Sequence, residues 1–216
     1  MFKPKIITFE GIDGSGKTTH IKKVEKHLKN KKIEFLSFRE PGGSKNSEKI
    51  RKLILSNKNN FNSFTDLLLY MSSRNENIQM LNKSKNIEII LIDRFIHSTL
   101  AYQHFGMGIN INLINMLNKL IIKEKKIALT FLLLVNKKNL KERLNIRKSL
   151  NRYDKFKLSF YQKIQNGYLK IAKKRNSKFI IINSNDDIIK NNNIIIKKIN
   201  SILKKIWKYN GSLSRP

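Results

Sequence analysis

Apolar residues arrive in this chain in two rhythms. Short unbroken runs alternate with longer stretches in which apolar positions recur every three or four residues. The runs at 5–10, 33–38, 87–92, 128–135 and 179–182 read as strands buried on both faces. The stretches 18–30, 47–55, 64–81, 112–122, 140–147, 156–174 and 188–207 read as helices. In the first of these, Ile21, Val24 and Leu28 form one stripe and lysines fill the opposite face. Pro41-Gly42-Gly43 interrupts the chain after the second run. Alternation of this kind predicts an α/β protein: a five-stranded parallel sheet covered by helices on both faces. At 216 residues the chain suits one domain, expected over 1–208, with the polar tail 209–216 expected to fray.

Eight residues add chemistry to that scaffold. Gly11-Ile12-Asp13-Gly14-Ser15-Gly16-Lys17-Thr18 satisfies G-x-x-x-x-G-K-[ST] and lies between a predicted strand and a predicted helix, the context the motif requires. Glycines let backbone N–H groups turn inward around phosphate oxygens, and the helix that follows presents its positive end. Lys17 would reach the β- and γ-phosphates, and the Thr18 hydroxyl would hold Mg²⁺. The fold expected is therefore the three-layer α/β/α arrangement of P-loop nucleotide triphosphatases, and the ligand a nucleoside triphosphate. Asp93, closing the run Ile89-Ile90-Leu91-Ile92, is the matching carboxylate for the metal; its alternative is a cap for the next helix. A GTPase is disfavoured, because D-x-x-G occurs only within the loop itself and N-K-x-D is absent. Arg94 after Asp93, where an AAA-type ATPase has an acidic residue, disfavours that class too.

Composition narrows the field further. Without cysteine, the chain has no disulfides, no thiolate metal site and no thiol nucleophile, and its four histidines form no HExxH pair. Lys+Arg 45 against Asp+Glu 15 leaves a net charge of +30. Through residue 110 there are 19 basic and 10 acidic residues; the remainder has 26 and 5. That balance invites a nucleic-acid reading. However, the lysines are spread over many segments with no interleaved aromatics, and the excess of Lys, Asn and Ile follows A+T-rich codons onto a solvated surface. No specific nucleic-acid partner is expected. No targeting segment or membrane-length apolar stretch is visible, and a cytoplasmic location is expected.

Three further clusters stand where strands end, the place where ligands gather in open α/β sheets. They are Arg39-Glu40-Pro41-Gly42-Gly43, Tyr70 with Arg74 one helical turn on, and Asp93-Arg94-Phe95 running to Ser98-Thr99 and Ala101-Tyr102-Gln103. Tyr70 and Arg74 share a helix face, suiting an aromatic plane that stacks on a base and a guanidinium that bonds its edge. Together with Phe9-Glu10 before the phosphate loop and Gly167-Tyr168-Leu169 before Ala172, these runs resemble the bacterial thymidylate kinases from Ile6 to about Ala172.

The resemblance implies ATP- and Mg²⁺-dependent phosphorylation of dTMP to dTDP by a homodimer, on the path to dTTP. It also implies residue roles. Asp13 would bond the deoxyribose 3′-hydroxyl, and Arg39 and Arg94 would hold the acceptor phosphate. Tyr70 would stack on thymine in place of the usual Phe, and Arg74 would bond a thymine carbonyl. Thr99 and Gln103 would lie beside the base, Ser98 would be among the dTMP-binding residues, and Tyr102 would crowd the place of a ribose 2′-hydroxyl. Tyr70 also reads as a core residue, and Ser98 and Thr99 as helix caps. The segment from about 143 to 153 resembles the family's mobile lid. Gly14 stands where one subclass carries a loop arginine, so a lid arginine is expected to be catalytic: Arg147 first, Arg152 second. Ser44, His97 and His104 depart from the family pattern. The rival functions are a kinase for another nucleoside monophosphate or a deoxynucleoside, and a basic nucleic-acid binder with a decayed loop.

Overall fold

A computed structural model describes residues 4–84, 86–146, 152–174 and 178–209. Five strands form one parallel sheet: β1 (Lys5–Glu10), β2 (Phe35–Arg39), β3 (Ile89–Asp93), β4 (Ile127–Leu134) and β5 (Phe179–Asn183), ordered β2-β3-β1-β4-β5. The order puts β1 in the middle, so the glycine loop that leaves it opens at the centre of the sheet edge where all strands end. Pairing of Phe9 with Asp93 and of Arg39 with Asp93 brings three chemistry-bearing strand ends level.

Alternation along β1 divides the core. Ile7 and Phe9 face α1 (Lys17–Asn30) and α8 (Ile188–Tyr209), packing with Val24, Leu28, Ile195, Ile199 and Leu203. Ile6, with Ile90 and Ile92 of β3, faces the other way onto α3 (Ser63–Lys83) and α5 (Ile111–Ile122) through Ile78, Leu81 and Ile122. Leu132 of β4 meets α7 (Leu158–Ala172) through Tyr161, Ile164 and Tyr168. Thr8 is a buried polar residue within β1; its hydroxyl meets that of Thr130 at 2.9 Å on the neighbouring strand, so neither is buried unpaired.

Caps place the remaining helices. Asn62 accepts from the Thr65 N–H and starts α3. Ser44 caps α2 (Lys45–Leu55) by accepting from Ser47 N–H. Asn136 does the same for α6 (Lys137–Asn145) with Asn139 N–H. After β3 the chain makes a short helix α4 (Ile96–Thr99) that widens into a π-helical segment, Leu100–Gly106. The bond from Met107 N–H to the Tyr102 carbonyl, five residues back, marks the widening. A turn of 3-10 helix, Arg152–Lys155, precedes α7. At Gly167 of α7 the π-helical segment comes close: a Cβ there would stand 2.7 Å from Phe105 Cβ.

Lys22, Lys23, Lys26 and Lys29 on α1 and Lys197, Lys198 and Lys204 on α8 are all exposed, the solvated placement expected of the surplus charge. No helix among the described residues is long and apolar enough to cross a membrane.

Candidate active site

The phosphate loop is shaped by its glycines. Gly11 adopts φ +141°, and a Cβ there would come within 2.5 Å of the Leu133 carbonyl oxygen. Gly16 adopts φ +86° at the mouth of α1. Lys17 folds back over the loop, its Nζ donating to the carbonyls of Gly11 and Ile12 at 3.0 Å each. Burial, with Arg94 nearby, brings its pKa down to about 8, although Asp93, Asp13 and Glu10 pull the other way. An ammonium held by carbonyls in this way is ready to exchange them for phosphate oxygens. Thr18 donates its hydroxyl to Asp93 Oδ2 at 3.2 Å. Oδ1 of Asp93 is buried with no hydrogen-bond partner among the described residues, so an acceptor is left for a metal ion or its water. Thr18 and Asp93 thus fit Mg²⁺, a cation that takes hard oxygen ligands and keeps several waters.

Two cavities meet at this loop. One lies over the phosphate side and is lined by Lys17, Thr18, Arg39, Asp93 and Arg143. The other runs between α3 and the π-helical segment and is lined by Tyr70, Arg74, Ser98, Thr99, Tyr102 and Gln103. Asp13, Glu40, Arg51 and Arg94 line both.

Arg94 is the hinge between them. Its Nη2 stands 3.1 Å from Asp13 Oδ1, and its guanidinium lies over the Tyr102 ring at 5.1 Å. Tyr102 donates its hydroxyl to the other Asp13 oxygen at 3.1 Å. Behind Arg94 sits Glu10, with no exposed surface, accepting from Phe95 N–H at 2.9 Å and from the hydroxyls of Ser98 (2.5 Å) and Tyr168 (3.2 Å). Burial pushes the Glu10 carboxyl above its ordinary range, against the pull of those bonds and of Arg94 and Lys17. The Ser98 and Tyr168 hydroxyls in turn stand 3.4 Å from Arg94 Nη1.

The residues singled out from sequence fall into three groups. Asp13, Tyr70, Arg74, Arg94, Ser98, Thr99, Tyr102 and Gln103 converge on the second cavity. Gln103 Nε2 is buried there without a partner among the described residues, a donor available to a ligand. Arg74 has its donors engaged: Nε to Glu40 at 2.8 Å, Nη1 to Asn118 at 2.7 Å and Nη2 to Thr99 at 3.0 Å. Arg39 lies on the phosphate side, more than half exposed and 3.4 Å from Glu48. Of the two arginines expected in a lid, Arg147 lies outside the described residues. Arg152 bonds Asp66 and the Ile54 carbonyl and does not line the phosphate-side cavity.

Two cations went unremarked in the sequence. Arg51 donates to the Pro41 carbonyl at 2.6 Å, and Arg143 bridges the Gly14 carbonyl (3.0 Å) and the Ser184 carbonyl (2.7 Å). Each sits on a helix rich in basic residues, and nothing in its spacing separates it from solvated neighbours.

A parallel sheet whose central strand feeds a lysine-bearing glycine loop, beside an adjoining cavity with its own arginines, defines a P-loop nucleotide-binding protein. A family model described as thymidylate kinase matches residues 9–195. A thymidylate kinase of Mycoplasma capricolum is 39% identical over 187 residues, which is 84% of this chain and 87% of the relative. One from Wolbachia pipientis is 40% identical over 180 residues, 82% and 89% of the two chains. The crystal structure of thymidylate kinase from Ehrlichia chaffeensis superposes with a TM-score of 0.71 at 30% identity, covering 92% of this chain and 99% of that one. The chain belongs to the thymidylate kinase family.

The Arg74–Glu40 pair yields a stability prediction. Both side chains are almost wholly buried, 2% and 3% exposed. Burial raises the Glu40 carboxyl, and Arg74 is the main force holding it down. Arg74→Ala leaves that carboxylate with the long Asn77 contact of 3.4 Å. Denaturant unfolding is expected to show a loss of about 3–5 kcal/mol, the usual result of stripping one partner from a buried ion pair. Unchanged unfolding would mean that Arg74 is held for the ligand alone.

Proposed function

We propose that this chain transfers the γ-phosphoryl group of ATP to dTMP, giving dTDP on the way to dTTP, as a cytoplasmic homodimer. The observation that carries the reading is the sharing of Asp13 and Arg94 between the phosphate-loop cavity and the aromatic cavity. Two phosphorylated ligands seated in those cavities would meet at these residues.

The chemistry asks little of side-chain bases. A monophosphate has its second pKa near about 6, so its attacking oxygen is already largely deprotonated at neutral pH. The barrier is the approach of two polyanions. Lys17 and the loop amides would hold the donor, and Arg39, Arg51 and Arg94 would neutralise the acceptor. Thr18 and Asp93 would hold Mg²⁺, whose charge offsets that of the donor phosphates. Tyr70 would stack on the base, and the free Gln103 Nε2 supports a polar contact beside it. Asp13 and Tyr102, bonded to one another, would meet the sugar, which suits a deoxyribose. Arg147 remains the first choice for the lid arginine, with Arg152 second. Closure of that segment would exclude water from the transferring group. Phe64 and Leu68 on α3 and Met116 and Leu120 on α5 are exposed apolar side chains available to a second copy.

A coupled assay across dTMP, dUMP, UMP, CMP, AMP and GMP tests the reading. dTMP is expected to give the highest kcat/KM, and Lys17→Ala is expected to abolish transfer while unfolding as cooperatively as the parent. A preference for another acceptor, or near-parental activity of the alanine variant, would contradict it.

The depressed lysine makes a second prediction. Nζ must carry its proton to bind phosphate, and its pKa in the free protein is about 8. Since kcat/KM reports the free enzyme, kcat/KM for ATP is expected to fall as pH rises through about 8. Phosphates raise the lysine pKa in the complex, so kcat is expected to hold to higher pH. A kcat/KM profile flat to pH values near the ordinary lysine range of about 10 would contradict this.

A further inference from the structure

Tyr153 lines the aromatic cavity, yet it comes from the 3-10 turn Arg152–Lys155 before α7 and not from the elements that build the rest of the wall. It is 5% exposed. Its ring stands edge-on to Tyr70, centroids 6.4 Å apart at 71°, and edge-on to Tyr102, at 6.4 Å and 81°. One ring therefore touches both aromatic walls. In such edge-to-face pairs the tilt of each ring is set by the other, because the positive rim of one meets the negative face of its partner.

Tyr153 is itself tethered. Its hydroxyl donates to Asp66 Oδ2 at 3.2 Å, and Asp66 is buried on α3. The other Asp66 oxygen pairs with Arg152, whose guanidinium lies 4.9 Å over the Tyr153 ring. Tyr161 donates its hydroxyl to the Tyr153 carbonyl at 3.1 Å, fixing the backbone from α7. A ring that served only the core would have no need to border the cavity beside Tyr70 and Tyr102.

We propose that Tyr153 is a specificity and positioning residue for the nucleoside half of the acceptor. It sets the angle at which Tyr70 and Tyr102 face the ligand. The Asp66–Arg152 pair keeps it there. The inference rests on the dTMP reading above and adds a residue to it.

Steady-state kinetics of the full chain test it, with thymidine as a competitor that has the nucleoside but no phosphate. Tyr153→Leu is expected to raise the dTMP KM about tenfold, from two lost ring contacts, and the thymidine Ki by the same factor. The ATP KM and kcat are expected to stay within about twofold, as for lost ground-state binding. Tyr153→Phe, which keeps the ring but loses the Asp66 bond, is expected to fall between the leucine variant and the parent. Unchanged dTMP KM in Tyr153→Leu, equal rises for both substrates, a dTMP effect absent from thymidine, or a Phe variant no better than Leu would each overturn the proposal. Should the leucine variant not fold, Asp66→Asn replaces it: the dTMP KM must rise severalfold with the ATP KM unmoved, and no rise overturns the proposal. A parent enzyme that leaves dTMP unphosphorylated would overturn the functional reading instead, a separate and recognisable result.

Discussion

Arg94 leaves the end of β3 with a left-handed backbone, φ +69°, an uncommon conformation for a residue with a side chain. The turn is held by its own N–H, which donates to the Phe9 carbonyl at 2.9 Å, and by Glu10, which accepts from the next N–H along, that of Phe95. The strain delivers the guanidinium between Asp13 of the phosphate loop and the ring of Tyr102. From there the rest of the site can be derived. Asp13 neutralises Arg94 in the free protein and holds Tyr102, Tyr102 contacts Tyr153, and Tyr153 contacts Tyr70. The carboxylate behind is as necessary as the arginine, since Glu10 fixes the Ser98 and Tyr168 hydroxyls beside its Nη1.

This arrangement addresses the central difficulty of phosphoryl transfer between two nucleotides, which is mutual repulsion. Cations cannot simply be crowded together and left waiting, because they repel one another too. Here each is provisionally occupied: Lys17 by loop carbonyls, Arg94 by Asp13, Arg39 by Glu48, Arg51 by the Pro41 carbonyl and Arg143 by the Gly14 and Ser184 carbonyls. Phosphates would take the place of carbonyls and of single carboxylate contacts, and the groups need little reorganisation to receive them.

Much of this was legible in the sequence, for reasons that are local. Strands buried on both faces must be continuous apolar runs, so β1, β3 and β4 stood out, and the glycine loop is itself a local structure. Boundaries shifted where a side chain caps a helix earlier than the apolar pattern begins: α2 starts at Lys45 because Ser44 caps it, and α6 at Lys137 because Asn136 does. The widening at Leu100–Gly106 had no local signal; the segment lies against α7, with Phe105 on Gly167, a contact that only the tertiary fold makes. Asp66 and Tyr153 were also out of reach. An acidic residue in the first turn of α3 reads as favourable to the helix dipole, and only the tertiary fold brings Arg152 and Tyr153 to it. Arg51 and Arg143 were hidden by their numerous basic neighbours.

If Arg94 is the point where the acceptor phosphate is held, its effect must depend on that phosphate. Calorimetric titration of Arg94→Met with dTMP and with thymidine separates the phosphate from the nucleoside. Loss of charge-assisted bonds predicts that dTMP affinity falls by about a hundredfold, toward that of thymidine, while thymidine affinity changes by no more than about threefold. Equal losses for the two ligands, or undiminished dTMP binding, would contradict the account.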